Sequence, residues 1–269
     1  MKSFAIHFLF DLKTGIRDKT LLLMNYIFPL GFYLAMGGIM PQLNPQYKDI
    51  LIPSMIFFTL LVGTVLGMPN TLVTSRNNGI FRSYKINGIP KFSMLAIPTI
   101  STIFHTVIVT IIILISAPTL FDAKLPENIG ALTLIFATMA IACSGLALLI
   151  GMISNNTSVT VIYAQVIFLP SMLIGGLMMP LDSLPKSIKG FSKLLPTTYA
   201  MDAFQSLVVQ EKSAFKPVYS LSILLVTGVL SYLLASYFFR LDNNNTSKPK
   251  SAFTALVAII PLALGALFL

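Results

Sequence analysis

The chain of 269 residues has no tryptophan and a single cysteine, and only 10% of its residues are charged, with 9 acids among them. A soluble domain carries about 25% charged residues, and a soluble fold this poor in charge would expose large apolar patches and aggregate. The lone Cys143 excludes a disulfide within the chain and a cysteine-based metal cluster. Without Trp, the residues left to anchor a membrane interface are Tyr, Phe and Lys. Acid–base equipment is equally sparse: His7 and His105 are the only histidines, and no H-E-x-x-H metalloprotease spacing occurs. The phosphate-binding G-x-x-x-x-G-K-[ST] loop is absent too, so any ATP that drives this protein is bound by another chain.

What is present is apolar sequence: 55% of the chain, with a mean hydropathy of +0.84. Runs 20–40, 50–73, 94–118, 129–153, 159–179 and 217–239 each suffice to cross a bilayer, which takes about 20 helical residues. None contains Asp, Glu, Lys or Arg, and 251–269 is a further run of the same kind. The expected fold is therefore an all-α polytopic membrane protein. So many spans leave no room for a soluble catalytic domain. Pro29, Pro53, Pro98 and Pro170 fall inside spans, where neighbouring helices can satisfy the freed carbonyls.

The net charge of +9 sits in short loops beside these runs, which points to topology and anionic lipid rather than nucleic acid. Arg17, Arg76, Arg82 and Arg240 all fall on one side if the N-terminus is cytoplasmic, and the loops of that side hold most of the Lys and Arg. Before the first span, Ser3, His7, Asp11, Thr14 and Asp18 recur at helical spacing opposite Ala5, Leu9, Leu12 and Ile16. This predicts an amphipathic helix in the membrane interface. Asp11 and Lys13 interrupt the apolar stretch too early for a signal peptide.

Ion-coupled carriers commonly place ionisable residues inside spans; here only His105 lies there, and a lone histidine has packing as its simpler reading. Two segments look specialised. Loop 74–93 carries Arg76, Arg82, Lys85 and Lys91 with no acid, and Asn77-Asn78-Gly79 signals a turn. A short helix there would put Phe81 and Tyr84 on one face and Arg82 and Lys85 on another, either as a topogenic loop against lipid or as a docking surface for a cytosolic partner. Segment 165–216 is broken by Pro170, Gly175, Gly176, Pro180, Pro185 and Pro196, and the pieces after Pro180 are too short and polar to span. Such backbone at membrane depth must be buried in protein or line a cavity, which predicts an element that dips into the outer leaflet and returns. Ser183, Thr197 or Thr198 are candidate caps for its helices.

These features together resemble the permease subunits of type-2 ABC exporters. The likeness covers residues 1–242 and is most specific in PSMLIGGLMMPLDSLP at 170–185 and LLPTTYAMDAF at 194–204. Gly79 and Pro90, in NNGIFRSYKINGIPKFSML at 77–95, match the family's coupling region, although Asn77 or Asn78 stands where an acid is common. The arginine often found just after the position of Asp202 is absent as well.

The resemblance implies a six-helix permease core with an N-terminal interfacial helix and re-entrant outer helices between spans 5 and 6. A polar linker, 243–250, and an extra apolar helix, 251–269, would follow. It implies a dimer, with a second copy or a related chain, docked to a separate cytosolic ATPase that binds ATP and Mg, and no cofactor in this chain. Gly79, Phe81, Arg82, Tyr84 and Lys85 would form the ATPase-coupling loop. Phe57, Phe58, Gln165, Phe168 and Met172 would line the translocation path, and Pro180, Pro185 and Pro196 an outer gate hinged at Gly175 and Gly176. The expected function is export of a small amphiphilic or hydrophobic compound (a drug, antibiotic, peptide or lipid-like molecule) across a bacterial plasma membrane. Alternatives are an ion-gradient carrier that uses His105, or an assembly protein that transports nothing.

Overall fold

The computed structural model describes residues 2–209, 216–241 and 254–268. Helix α1 (Lys2–Arg17) ends at Asp18, whose carboxylate accepts the Thr20 and Leu21 N–H groups and so starts α2, Lys19–Leu43. There follow α3 (Tyr47–Asn77), the short α4 (Ile80–Ile86), α5 (Lys91–Phe121), α6 (Ile129–Ile153) and α7 (Thr157–Ile174). The short helices α8 (Lys186–Ser192) and α9 (Pro196–Phe204) precede α10 (Pro217–Tyr237), and a 3₁₀ turn, Leu256–Ile259, leads into α11, Ile260–Phe268.

Six helices, α2, α3, α5, α6, α7 and α10, are long and apolar enough to cross a membrane, and they coincide with the six runs expected from the sequence. The chain passes up and down, so α1 and α4 share one end of the bundle (the near end) and α8 and α9 lie at the far end. The extra helix, Leu256–Leu267, is apolar but shorter; at about 1.5 Å per residue it falls well short of a hydrocarbon core of about 30 Å. It packs along α10, and the expected linker 243–250 lies outside the described residues.

Burial separates the spans into two classes. The most apolar stretch of α3 is 94% buried and that of α6 78%, whereas α7 reaches only 22% and α2 28%. Thus α3 and α6 form the centre, and the outer helices turn Leu34, Ile115, Ile162, Val166 and Leu233 outward toward lipid or a partner. Helices α6 and α10 approach so closely that a Cβ on Gly145 would lie 2.7 Å from the Gly228 carbonyl, and one on Gly228 would meet Ile141 at 2.6 Å. Ser144 and Tyr232 share a hydrogen bond of 2.6 Å across the same contact.

Helices α2 and α3 each contain a π-bulge, Leu23–Ile27 and Val62–Gly67, and the two bulges pack against one another near the same end. Such bulges release backbone groups from the regular ladder and often mark working parts of a helix. Pro53, Pro98 and Pro170 sit inside helices that continue through them.

Candidate coupling and gating sites

The segment after α3 is built from two glycines. Gly79, at φ +70°, donates to the Arg76 carbonyl and closes α3; Gly88, at φ +75°, closes α4 in the same manner, with Ile89 reaching back to Tyr84. Left-handed backbone of this kind ends helices and favours glycine. Between them, α4 turns Phe81, 2% exposed, into the protein and presents Arg82, Lys85 and Ile86 outward. Phe81 packs on Phe239 with ring centroids 5.5 Å apart, and Tyr84 meets His7 of α1 edge-on at 4.5 Å. Lys91 lies over the Phe239 ring and donates to the Ser236 carbonyl. The short helix is therefore pinned to α1 on one side and to the end of α10 on the other. The two-faced helix expected over this loop is present, with Phe81 and Tyr84 as its anchors and the cations as its free face.

Arg76 corrects the loop expectation. Helix α3 runs on to Asn77, so Arg76 is a helical residue, 2% exposed, rather than an exposed loop cation. Its guanidinium donates to the carbonyls of Gly151, Met152 and Ser154, the last turn of α6. Those carbonyls lack intrahelical partners, and a cation there also complements the helix dipole. Charge patterning alone assigned this arginine to topology; the signal that locates it is the unbroken helical register from Pro69 onward.

The proposed path residues are packed in this structure. Phe57 and Phe58 are wholly buried and Phe168 is 4% exposed. Phe58 stacks on Phe32 at 4.1 Å and meets Phe28 at 5.8 Å and Phe168 at 6.0 Å, so α2, α3 and α7 are joined by one aromatic cluster. Gln165 and Met172, on α7, are half-buried, and the Gln165 carbonyl oxygen has no partner. An open wall along α3 is thus replaced by a closed contact between α3 and α7.

At the far end, α9 is buried along its whole length, including Thr197, Thr198 and Asp202. This agrees with an element that returns through the protein rather than lying on its surface. Pro196 starts α9, Pro185 immediately precedes α8, and Pro180 precedes a 3₁₀ turn, Leu181–Ser183. The threonines are not caps: Thr197 donates to the Ser171 carbonyl and Thr198 to that of Ser192. Gly175 is pressed against α9, where a Cβ would lie 1.9 Å from Thr197 Oγ1, and Gly176 holds φ +89°. The glycine pair here is a close-packed joint. Asp202 accepts a hydrogen bond of 2.8 Å from Ser220, and Tyr47 donates to the Leu177 carbonyl at 2.9 Å. Asp202 is a buried carboxylate that the reading of the spans passed over, because it lies between them.

His105, the histidine inside an apolar run, is held at Nδ1 by Tyr26 at 2.6 Å, and its ring fills the notch left by Gly15. It clamps α1 to α2 and α5.

The fold and these two ends define a polytopic membrane protein with a short cationic helix at one end and helices that turn back into the bundle at the other. The ABC-2 type transporter family matches residues 4–209, from α1 through α9, and the chain belongs to that family. Comparison with curated proteins and with solved structures gave no match. A member of this family is the membrane component of an ABC transporter.

Proposed function

We propose that this permease exports a small amphiphilic or hydrophobic compound from the cell, as a dimer driven by a separate ATPase that binds ATP and Mg on the cytoplasmic side. The observation that carries this reading is α4: a short helix anchored inward by Phe81 and Tyr84, with Arg82, Lys85 and Ile86 turned outward at the end that also holds α1. A partner that pushed on the outer face would move α1 and α10 through those anchors. Gly79 and Gly88 would let α4 tilt as a unit. The near end is then cytoplasmic and the re-entrant helices face outward. Export requires the aromatic contact of Phe58 with Phe168 to part and the joint at Gly175 to yield. The His105 clamp argues against an ion-driven carrier, since Nδ1 of that imidazole is tied to Tyr26 and the ring is wedged against Gly15 of α1.

The test is to purify the tagged chain from its native membrane in mild detergent and identify its companions. An ATPase should come with it, and Arg82→Glu with Lys85→Glu should lose both the companion and export while the fold stays intact. A preparation without an ATPase that transports under an ion gradient alone, in a manner abolished by His105→Ala, would overturn the reading.

A further inference from the structure

A cavity of about 410 Å³ lies at the near end, enclosed by α1, α2, α3, α4 and α5. That is the size of a small-ligand pocket. Its lining mixes apolar residues with an unusual number of polar side chains for this chain. Asp11 lines it, and so do Ser101, Asn25, Asn70, His7 and Tyr84.

Several of these groups have no partner. The Asn25 carbonyl oxygen is unpaired in a side chain only 3% exposed, and His7 Nδ1 is unpaired in one 8% exposed. The Asn70 carbonyl oxygen is unpaired as well. A buried polar group left so costs about 1–3 kcal/mol. The opposed π-bulges of α2 and α3 set Asn25 within reach of Gly63 and Gly67, so its amide lies over bare backbone.

Charge then selects the ligand. The protein carries +9 overall, yet among the described residues no Lys or Arg lines this cavity, while Asp11 and Asp18 do. The described residues also contain no group of three or more His, Cys, Asp or Glu arranged to hold a metal ion. A donor-bearing organic cation suits a cavity that offers a carboxylate together with unpaired amide oxygens.

We propose that this cavity binds a primary ammonium group, its N–H donors shared among Asp11, Asn25 and Asn70. The chemistry admits two sources, an ethanolamine lipid headgroup or a free amine. Away from the cavity, Ile6, Leu9 and Ile16 of α1 are exposed, so acyl chains would lie beside the headgroup. Tyr84 and Phe81 of α4 border the same space, and an occupant would bear directly on that helix. The site depends on the cavity alone and holds whatever energy source drives the permease.

Burial raises Asp11 above the usual carboxylate range, against smaller opposing effects of Ser101 and His7, and burial lowers His7, which keeps it neutral. The titratable groups that share the cavity with Asp11 are His7, Asp18, Tyr84 and His105. A proton on Asp11 competes with the cation, so affinity falls as the pH drops through the Asp11 range.

The single buried Cys143 gives a readout, since a thiol-reactive fluorophore labels it only on unfolding. Ethanolamine should raise the unfolding midpoint of the full chain saturably at neutral pH, and sodium or tetramethylammonium chloride at equal ionic strength should not. Asp11→Asn should weaken the apparent affinity at least about tenfold, the loss of one charge-assisted hydrogen bond. Asn25→Ala should do the same. Asp11→Asn also removes a carboxylate that is costly to bury, so the unliganded variant should be at least as stable as the parent; lost binding then cannot be lost folding.

In nanodiscs, phosphatidylethanolamine retained in native mass spectra and displaced by ethanolamine would assign the lipid source, with phosphatidylcholine as control. Protection by ethanolamine with no lipid retained would assign the free amine. Equal protection by sodium or tetramethylammonium, or an Asp11→Asn chain as responsive as the parent, would overturn the site.

Discussion

The two ends of this bundle are held by different means. At the near end, side chains cross between helices: Arg76 reaches the last carbonyls of α6, His105 joins α1 to α2, and Phe81 fastens α4 to Phe239. At the far end such bonds are present too, from Ser220 to Asp202 and from Tyr47 to the Leu177 carbonyl, but there backbone also meets side chain directly, where Gly175 lies under Thr197. Long side chains with two or more bonds tolerate small shifts between the elements they join. A glycine joint tolerates almost none. In the proposed function the near end would receive a push and the far end would seal a passage, tasks that need these opposite properties.

Arg76→Met tests the contrast most severely. The charge would be gone, but the carbonyls of Gly151, Met152 and Ser154 would remain unpaired at a buried helix end. Hydrogen bonds to charged groups contribute about 1.5–3 kcal/mol each, so a loss of about 3 kcal/mol or more is expected. Thermal unfolding read through Cys143 would measure it, and Arg76→Lys should recover only part. If Arg76→Met left the midpoint unchanged, the near end would not be held by this residue.

Gly175→Ala should follow, at about 1–3 kcal/mol, because the new methyl would meet both Thr197 Oγ1 and the Ser171 carbonyl at 2.4 Å. Thr197→Ala alone should cost less. The double variant should be better than the sum of the two, since removing the hydroxyl makes room. Additive losses would show that the joint is looser than the geometry implies.

Gly15→Ala is the matching experiment at the near end, where a Cβ would lie 2.3 Å from His105 Nε2. The obstacle is a side chain on a helix that can shift, so the expected cost is smaller, about 1 kcal/mol. A loss as large as that at Gly175 would erase the proposed difference in compliance.

Much of this was legible beforehand, for reasons that can be named. The six spans follow from charge-free runs, because hydrocarbon excludes charge whatever the tertiary structure does. The near-end helix α4 followed from Gly79 and the alternation of Phe81 and Tyr84 with Arg82 and Lys85. Orientation of faces was less accessible. His7, Asp11, Thr14 and Asp18 of the polar stripe of α1 turn inward on the cavity while Leu9 and Ile16 of its apolar stripe are exposed, the reverse of a soluble helix. Periodicity finds a stripe and leaves open what it faces. Likewise Phe57 reads as wall or core with equal ease until α3 is placed at the centre of the bundle, and Thr197 reads as a cap until α9 is packed on Ser171.

The smallest expected effect lies in the surface charges of the far end. Lys48 reaches Asp122 at 3.3 Å and Lys124 reaches Asp49 at 2.9 Å, so two ion pairs tie the first turn of α3 to the α5–α6 connection. All four side chains are substantially exposed, from 39% for Lys48 to 87% for Asp122. Exposed pairs are screened by salt and give back in side-chain entropy what they gain in attraction. Lys48→Met with Lys124→Met should leave the unfolding midpoint unchanged within error, at low and at high salt alike. A marked, salt-sensitive drop would mean that exposed charges hold the far end as well as its buried joint, and the contrast between a compliant end and a close-packed one would fail where it is easiest to test.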